Sequence, residues 1–127
     1  MWAVFDKDEH PEVERAIAIA IESGIDVGFS NPCFELWPLL HLIDYGSQDG
    51  RHALQRRLSS EMPNYDHERS AIIDFDLIKE RFEDALARSS ALQASRVSEN
   101  CINGCPSTNV GQLVEKIVQN GKRWSAR

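Results

Sequence analysis

The stretch Trp2-Ala3-Val4-Phe5-Asp6-Lys7-Asp8 decides how this chain reads. The apolar run Trp2–Phe5 has the pattern of a buried strand, and it ends in two aspartates spaced i and i+2. Paired carboxylates at the carboxyl end of a strand make a compact anionic site for a hard cation such as Mg²⁺. In open α/β sheets that edge is also where ligands bind. The run begins almost at the first residue, so the chain opens in the middle of what reads as a site.

Outward from this run, Glu9-His10-Pro11 is a turn, with proline suited to a first helical position. Val13, Ala16, Ile17, Ala20 and Ile21 recur at i, i+3, i+4, i+7 and i+8, which predicts an amphipathic helix stopped by Gly24. Glu12 and Glu14 lie in its first turn, where the helix dipole favours acids. Ile25–Phe29 then reads as a second strand, and strand, helix, strand with tight joints is a βαβ unit with parallel pairing. Ser30-Asn31-Pro32 is expected to cap a deeply buried helix carrying Phe34, Trp37, Leu40 and Ile43, with Pro38 kinking it. Beyond a polar loop at 46–50 the pattern predicts a basic helix over Arg51–Ser59 and a long helix over Phe75–Leu92. A last helix over Thr108–Asn120 is capped by Ser107 or Thr108 and ended by Gly121. Two strands make a poor independent sheet. Either a further strand comes from an unrecognised segment, or something outside the chain completes the sheet.

The 127 residues suit one domain, 1–127. Hydrophobic content of 42% and charged content of 27% fit a globular protein, and a net charge of −6 argues against a generally basic nucleic-acid glove. A nuclease can still be acidic overall, because a metal site needs carboxylates. Three cysteines, Cys33, Cys101 and Cys105, are odd in number and sparse, which suits a reducing cytoplasm better than a disulfide scaffold. No signal peptide or membrane span is expected.

Asp6 and Asp8 are the first candidate site residues, as ligands of a metal that neutralises phosphate charge and activates water. Aspartate is also common in solvated turns. The second candidate block is Ser30-Asn31-Pro32-Cys33-Phe34-Glu35-Leu36-Trp37, which βαβ geometry sets beside the aspartates. Glu35 points either to the metal site or back to the backbone as a capping partner, although its distance from Asn31 and Ser30 is wrong for a regular capping box. His41, six residues on, is a core histidine or a ligand. Cys101 and Cys105 lack the neighbouring histidines that a zinc site wants. Arg51, Arg56, Arg57 and Arg69 either contact phosphate or form a solvated basic face.

These blocks together resemble the RloB family, proteins associated with bacterial restriction and phage-defence loci that carry a TOPRIM-like nuclease domain. The resemblance rests on Val4-Phe5-Asp6-Lys7-Asp8-Glu9-His10, on Ser30–His41, and on Pro106-Ser107-Thr108-Asn109-Val110, in fitting order over essentially the whole chain. It implies a partial TOPRIM-like α/β fold: a parallel sheet, flanking helices and a helical C-terminal half. It also implies Mg²⁺, or Mn²⁺, held by Asp6 and Asp8, and nuclease chemistry on a phosphodiester of nucleic acid. Glu35 would be catalytic, with Asn31, Ser30 and His41 as supporting binding residues. The implied partners are nucleic acid, a second copy of the chain, or a protein of the same defence locus.

The sequence departs from the family pattern in several places. TOPRIM sites also use a glutamate in a glycine-containing motif after an earlier strand. No such segment precedes Met1, so the domain is expected to lack its N-terminal strand and that group. Pro38 stands at a usually aliphatic position, and His67 of Tyr65-Asp66-His67 stands where the family has lysine, so a permanent cation becomes a titratable one. Asn103-Gly104-Cys105-Pro106 interrupts what resembles an Asn-Pro-Ser-Thr block. Two other readings stay open. One is a non-catalytic remnant or interaction module that needs a partner to complete its sheet. The other is a haloacid-dehalogenase-type phosphatase, whose Asp-x-Asp would be followed two residues later by Thr or Val, where this chain has His10.

Overall fold

The computed structural model describes residues 1–9 and 12–125. The turn expected at His10-Pro11 lies outside them. Strand β1 (Trp2–Asp6) leads through a short 3-10 turn (Lys7–Glu9) towards helix α1 (Val13–Glu22), which returns the chain to strand β2 (Asp26–Asn31). Gly24, at φ +72°, lets the Ile25 and Gly24 N–H groups fold back onto the Ala20 and Ile21 carbonyls (2.9 and 3.1 Å), closing the helix end. β1 and β2 pair in parallel, Trp2 level with Asp26 and Asp6 level with Ser30. The βαβ reading is therefore correct in its parallel pairing, but the strand expected to be buried is not: no residue of β1 is fully buried and Val4 is 49% exposed.

The third strand is β3 (Ser107–Thr108), two residues long and antiparallel to β2, so the sheet is mixed with order β1-β2-β3. The segment foreseen as a helix cap supplies it. Asn109 then extends the pairing with its side chain. Its Oδ1 accepts from the Phe29 N–H (2.6 Å) and its Nδ2 donates to the Val27 carbonyl (2.9 Å), while its own N–H reaches the Phe29 carbonyl (3.0 Å).

Helix α2 (Leu36–Leu42) is buried along almost its whole length and packs between α5 (Phe82–Ser98) and α3 (Gly50–Glu61). Around it lies the core of Cys33, Leu36, Trp37, Leu39, Leu40, Leu54, Leu58, Met62, Tyr65, Ala85, Leu92 and Val110. Two expectations about this region are corrected. Ser30 and Asn31 belong to β2 rather than to a cap, and the helix starts only at Leu36. Pro38 is the third helical residue, where a missing N–H is one of the orphans of the first turn. The Phe34 carbonyl it would have met is taken by the Trp37 N–H (2.9 Å), so no kink is required.

The long helix expected over Phe75–Leu92 is two: α4 (Phe75–Ile78) and α5, separated where the Arg81 N–H turns onto the Ile78 carbonyl (2.9 Å). The apolar period survives the break because both Ile78 and Phe82 still pack on the core. Phe75 is instead exposed. Helix α6 (Val110–Ser125) continues through Gly121 instead of ending there. Its start packs hard on α2: a Cβ at Gly111 would sit 2.9 Å from Trp37 Cη2 and 3.0 Å from Leu86 Cδ1. Among the described residues no helix is long and apolar enough to cross a membrane.

Candidate functional site at the carboxyl end of the parallel strands

The parallel register sets Asp6, the last residue of β1, level with Ser30 of β2. Just beyond, the Asp8 N–H donates to the Pro32 carbonyl (3.2 Å), tying the Asp-x-Asp turn to the joint between β2 and α2. Arg51, near the start of α3, donates Nη1 to the Asp8 carbonyl (3.3 Å), and Lys7 pairs with Glu14 at 2.9 Å. Asp6 is half-buried and Asp8 exposed. The Cys33 thiol is pushed well up by burial and then by the charges of Glu35 and Asp6, so it stays protonated beside both acids. Cys105, also raised by burial, feels the charge of Asp8.

Glu35 is the buried acid of the site, 9% exposed. Its Oε1 accepts from Tyr65 Oη (3.0 Å) and lies 2.9 Å from His67 Nδ1. Burial by itself raises a carboxyl. Here the hydrogen bonds from Cys33, from its own backbone N–H and from Tyr65, together with the His67 charge, outweigh burial and hold Glu35 below the usual carboxylate range. Tyr65 is driven the opposite way, by burial and by the Glu35 charge, and remains a phenol donor. The loop bearing these partners is fixed locally. Asp66 and Ser70 exchange backbone bonds (3.0 and 2.8 Å), and Asp66 Oδ1 accepts the N–H groups of Glu68 and Arg69 (3.0 and 3.1 Å).

The other expected site residues are turned elsewhere. Ser30 Oγ is hydrogen-bonded to Thr108 Oγ1 (2.8 Å) and Asn31 Nδ2 donates to the Asn103 carbonyl (2.9 Å), so both fasten the 103–108 segment onto β2. His41 is buried at the end of α2, where Nδ1 donates to the Trp37 carbonyl (2.9 Å) and the ring meets the Trp37 indole edge-on at 4.7 Å. Burial holds its imidazole below the usual range. The structure thus gathers Asp6, Asp8, Cys33 and Glu35 at one end of the strands, and leaves Ser30, Asn31 and His41 with structural bonds.

Spacing alone did not reveal that Tyr65 and His67 complete the Glu35 site. The signal available was a buried-helix acid in search of donors, with a Tyr-x-His loop downstream. Asp6 and Asp8 carry hard oxygen donors of the kind that hold Mg²⁺, which commonly takes one or two carboxylates with water filling its shell. Among the described residues no three His, Cys, Asp or Glu side chains converge as a metal-holding group.

A search of curated proteins returns no match, and neither does a search of solved structures. A family profile described as RloB-like protein matches residues 1–117. That span takes in both motifs at the strand ends and the Ser107–Val110 block that completes the sheet, and on it the chain belongs to the RloB-like family.

Proposed function

We propose that this RloB-like chain carries a TOPRIM-type, metal-dependent site that acts on phosphodiesters of nucleic acid in the service of a bacterial phage-defence locus. One observation carries the reading. The Asp-x-Asp turn and the Ser-Asn-Pro-Cys-Phe-Glu segment meet at the carboxyl ends of parallel strands, joined by the bond from Asp8 N–H to the Pro32 carbonyl (3.2 Å). Asp6 and Asp8 are the groups that would hold Mg²⁺ or Mn²⁺. Such an ion, when bound, neutralises phosphate charge and lowers the pKa of an attacking water. Arg51 fixes the backbone of Asp8 through its bond to the carbonyl. Glu35, kept ionised in a buried setting, supplies a proton acceptor whose orientation is set by Tyr65 and His67.

The test is cleavage of single-stranded DNA, RNA and tRNA by the purified chain with Mg²⁺ or Mn²⁺. Metal-dependent products that are lost on adding EDTA and in Asp8→Asn support the reading. Products that survive both contradict it.

A second reading is favoured by the sheet itself. β1 is an edge strand, and Val4 in it is 49% exposed. An uncovered edge is a template for pairing. As an interaction module, the chain would add a strand from a second copy or from a protein of the same locus. Light scattering tests pairing between copies: a mass of twice 14.4 kDa supports it, and a stable single chain speaks against it.

A further inference from the structure

A cleft of about 270 Å³ lies between α3 and the 66–70 turn, lined by His52, Gln55, Arg56, Ser59, Asp66, His67 and Glu68. It is smaller than the roughly 300–1,000 Å³ of pockets for drug-sized ligands, which suits a small polar group. Neither Asp6 nor Asp8 lines it.

Its most specific feature is His67. The ring's Nδ1 is committed to the buried Glu35 carboxylate at 2.9 Å, an arrangement that fixes ring orientation and places the proton on Nδ1. Nε2 is left for a ligand. Facing it from α3 are His52 and Arg56, one turn apart on the same side as Gln55 and Ser59. The neighbouring Arg57 is paired with Glu61 at 3.1 Å, whereas Arg56 is turned to the cleft. Two acids share the cleft: Asp66 spends an oxygen on the N–H groups of its own turn, and Glu68 is exposed, as are His52, Arg56 and His67. The same helix carries Arg51 against the Asp8 backbone, so α3 runs from the aspartates to the cleft.

We propose that this cleft binds a phosphate group through the Arg56 guanidinium and the Nε2–H that His67 carries in its imidazolium form, with His52 beside them, and that Glu35 and Tyr65 serve it by positioning His67. Guanidinium and imidazolium donors to a phosphate make short, charge-assisted bonds. The phosphate comes either from a nucleic-acid strand, which would make the cleft a subsite flanking the aspartates, or from a free phosphomonoester. The strand source rests on the nuclease reading above, but phosphate binding does not.

The experiment is a titration of the whole chain, in EDTA, with inorganic phosphate and separately with a short single-stranded oligonucleotide. Histidine ring resonances are followed by NMR. The expected result is that the His52 and His67 signals move while those of the buried His41 stay in place, and that Arg56→Gln weakens binding about tenfold. The control Arg81→Gln, outside the cleft, should leave binding unchanged. Tighter binding of the oligonucleotide assigns the phosphate to a strand, and equal binding assigns it to a free monoester. Unmoved His52 and His67 signals at about 20 mM phosphate overturn the proposal, as does an Arg56→Gln chain that binds like the parent. Because EDTA removes metal throughout, failure of the metal site leaves this outcome unaffected.

Discussion

At the scale of single residues, Glu35 concentrates most of the chemistry. It is buried, it receives donors from Cys33, Tyr65 and His67, and its carboxyl titrates lower than it would in an unfolded chain. The sign of the linkage follows. A carboxyl lowered in the folded state contributes stability that is present above its unfolded value, near 4.5, and that is lost as pH falls through the folded value. Glu35→Gln should therefore lower the unfolding free energy by about 1–3 kcal/mol at neutral pH, the usual cost of disturbing a charged buried hydrogen-bond group. The gap from the parent chain should narrow as pH drops below that unfolded value. Urea denaturation across this range checks both parts, and a pH-independent gap would show that the ionised form is not what the donors stabilise. This cluster was hard to read in advance because Glu35 and Tyr65 stand 30 residues apart. Periodicity reports which face of a helix is buried, and it carries no information on which distant loop will bring a hydroxyl or an imidazole to that face.

Among elements, the join of β3 and α6 to β2 is where local sequence and long-range structure diverge. Ser107-Thr108 is too short to show an alternating pattern, and its pairing partner lies in β2, far back in the chain. A cap reading was therefore natural, and Thr108 Oγ1 does accept the Val110 N–H at 3.3 Å, so the residue serves as cap and strand together. Asn109 is the hinge of this join. Asn109→Ala leaves the Phe29 N–H and the Val27 carbonyl without their side-chain partners and should cost about 2–3 kcal/mol. Asn109→Asp keeps the acceptor, loses the donor, and should fall between the two in thermal denaturation. At the next turn, Gly111→Ala pushes a Cβ against Trp37 and Leu86 and should cost about 1–3 kcal/mol through overpacking. An altered near-ultraviolet signal should accompany it. An alanine chain within about 0.5 kcal/mol of the parent would mean that α6 is not held this tightly. The order and parallel pairing of β1–α1–β2, in contrast, were legible, because the helix period, the glycine stop and the apolar strands all agreed; the burial was not, since no β1 residue is fully buried and Ile21 is exposed. The break between α4 and α5 was hidden by a period that stays in phase across it.

For the whole molecule, an acidic chain of net charge −6 folds so that Asp6 ends the first of two parallel strands and Asp8 lies in the turn just beyond, while α3 sets Arg51 against the Asp8 backbone and His52 and Arg56 at the cleft. A mixed three-stranded sheet holds this arrangement, and the buried α2 connects it to the helical half. The family resemblance was legible in the three sequence blocks and is met by the profile match over residues 1–117. The hydrogen-bond partners of Ser30, Asn31 and His41 were not legible, since a polar residue next to a motif looks the same in sequence whether it faces a ligand or a backbone carbonyl. The proposed function turns on Asp6 and Asp8 forming a cation site. Calorimetric titration of the chain with Mn²⁺ tests it most directly. The account predicts saturable binding that Mg²⁺ competes away and that Asp6→Asn weakens by about tenfold or more, the loss of one charged ligand. Absence of Mn²⁺ binding, or binding unchanged in Asp6→Asn, would contradict it.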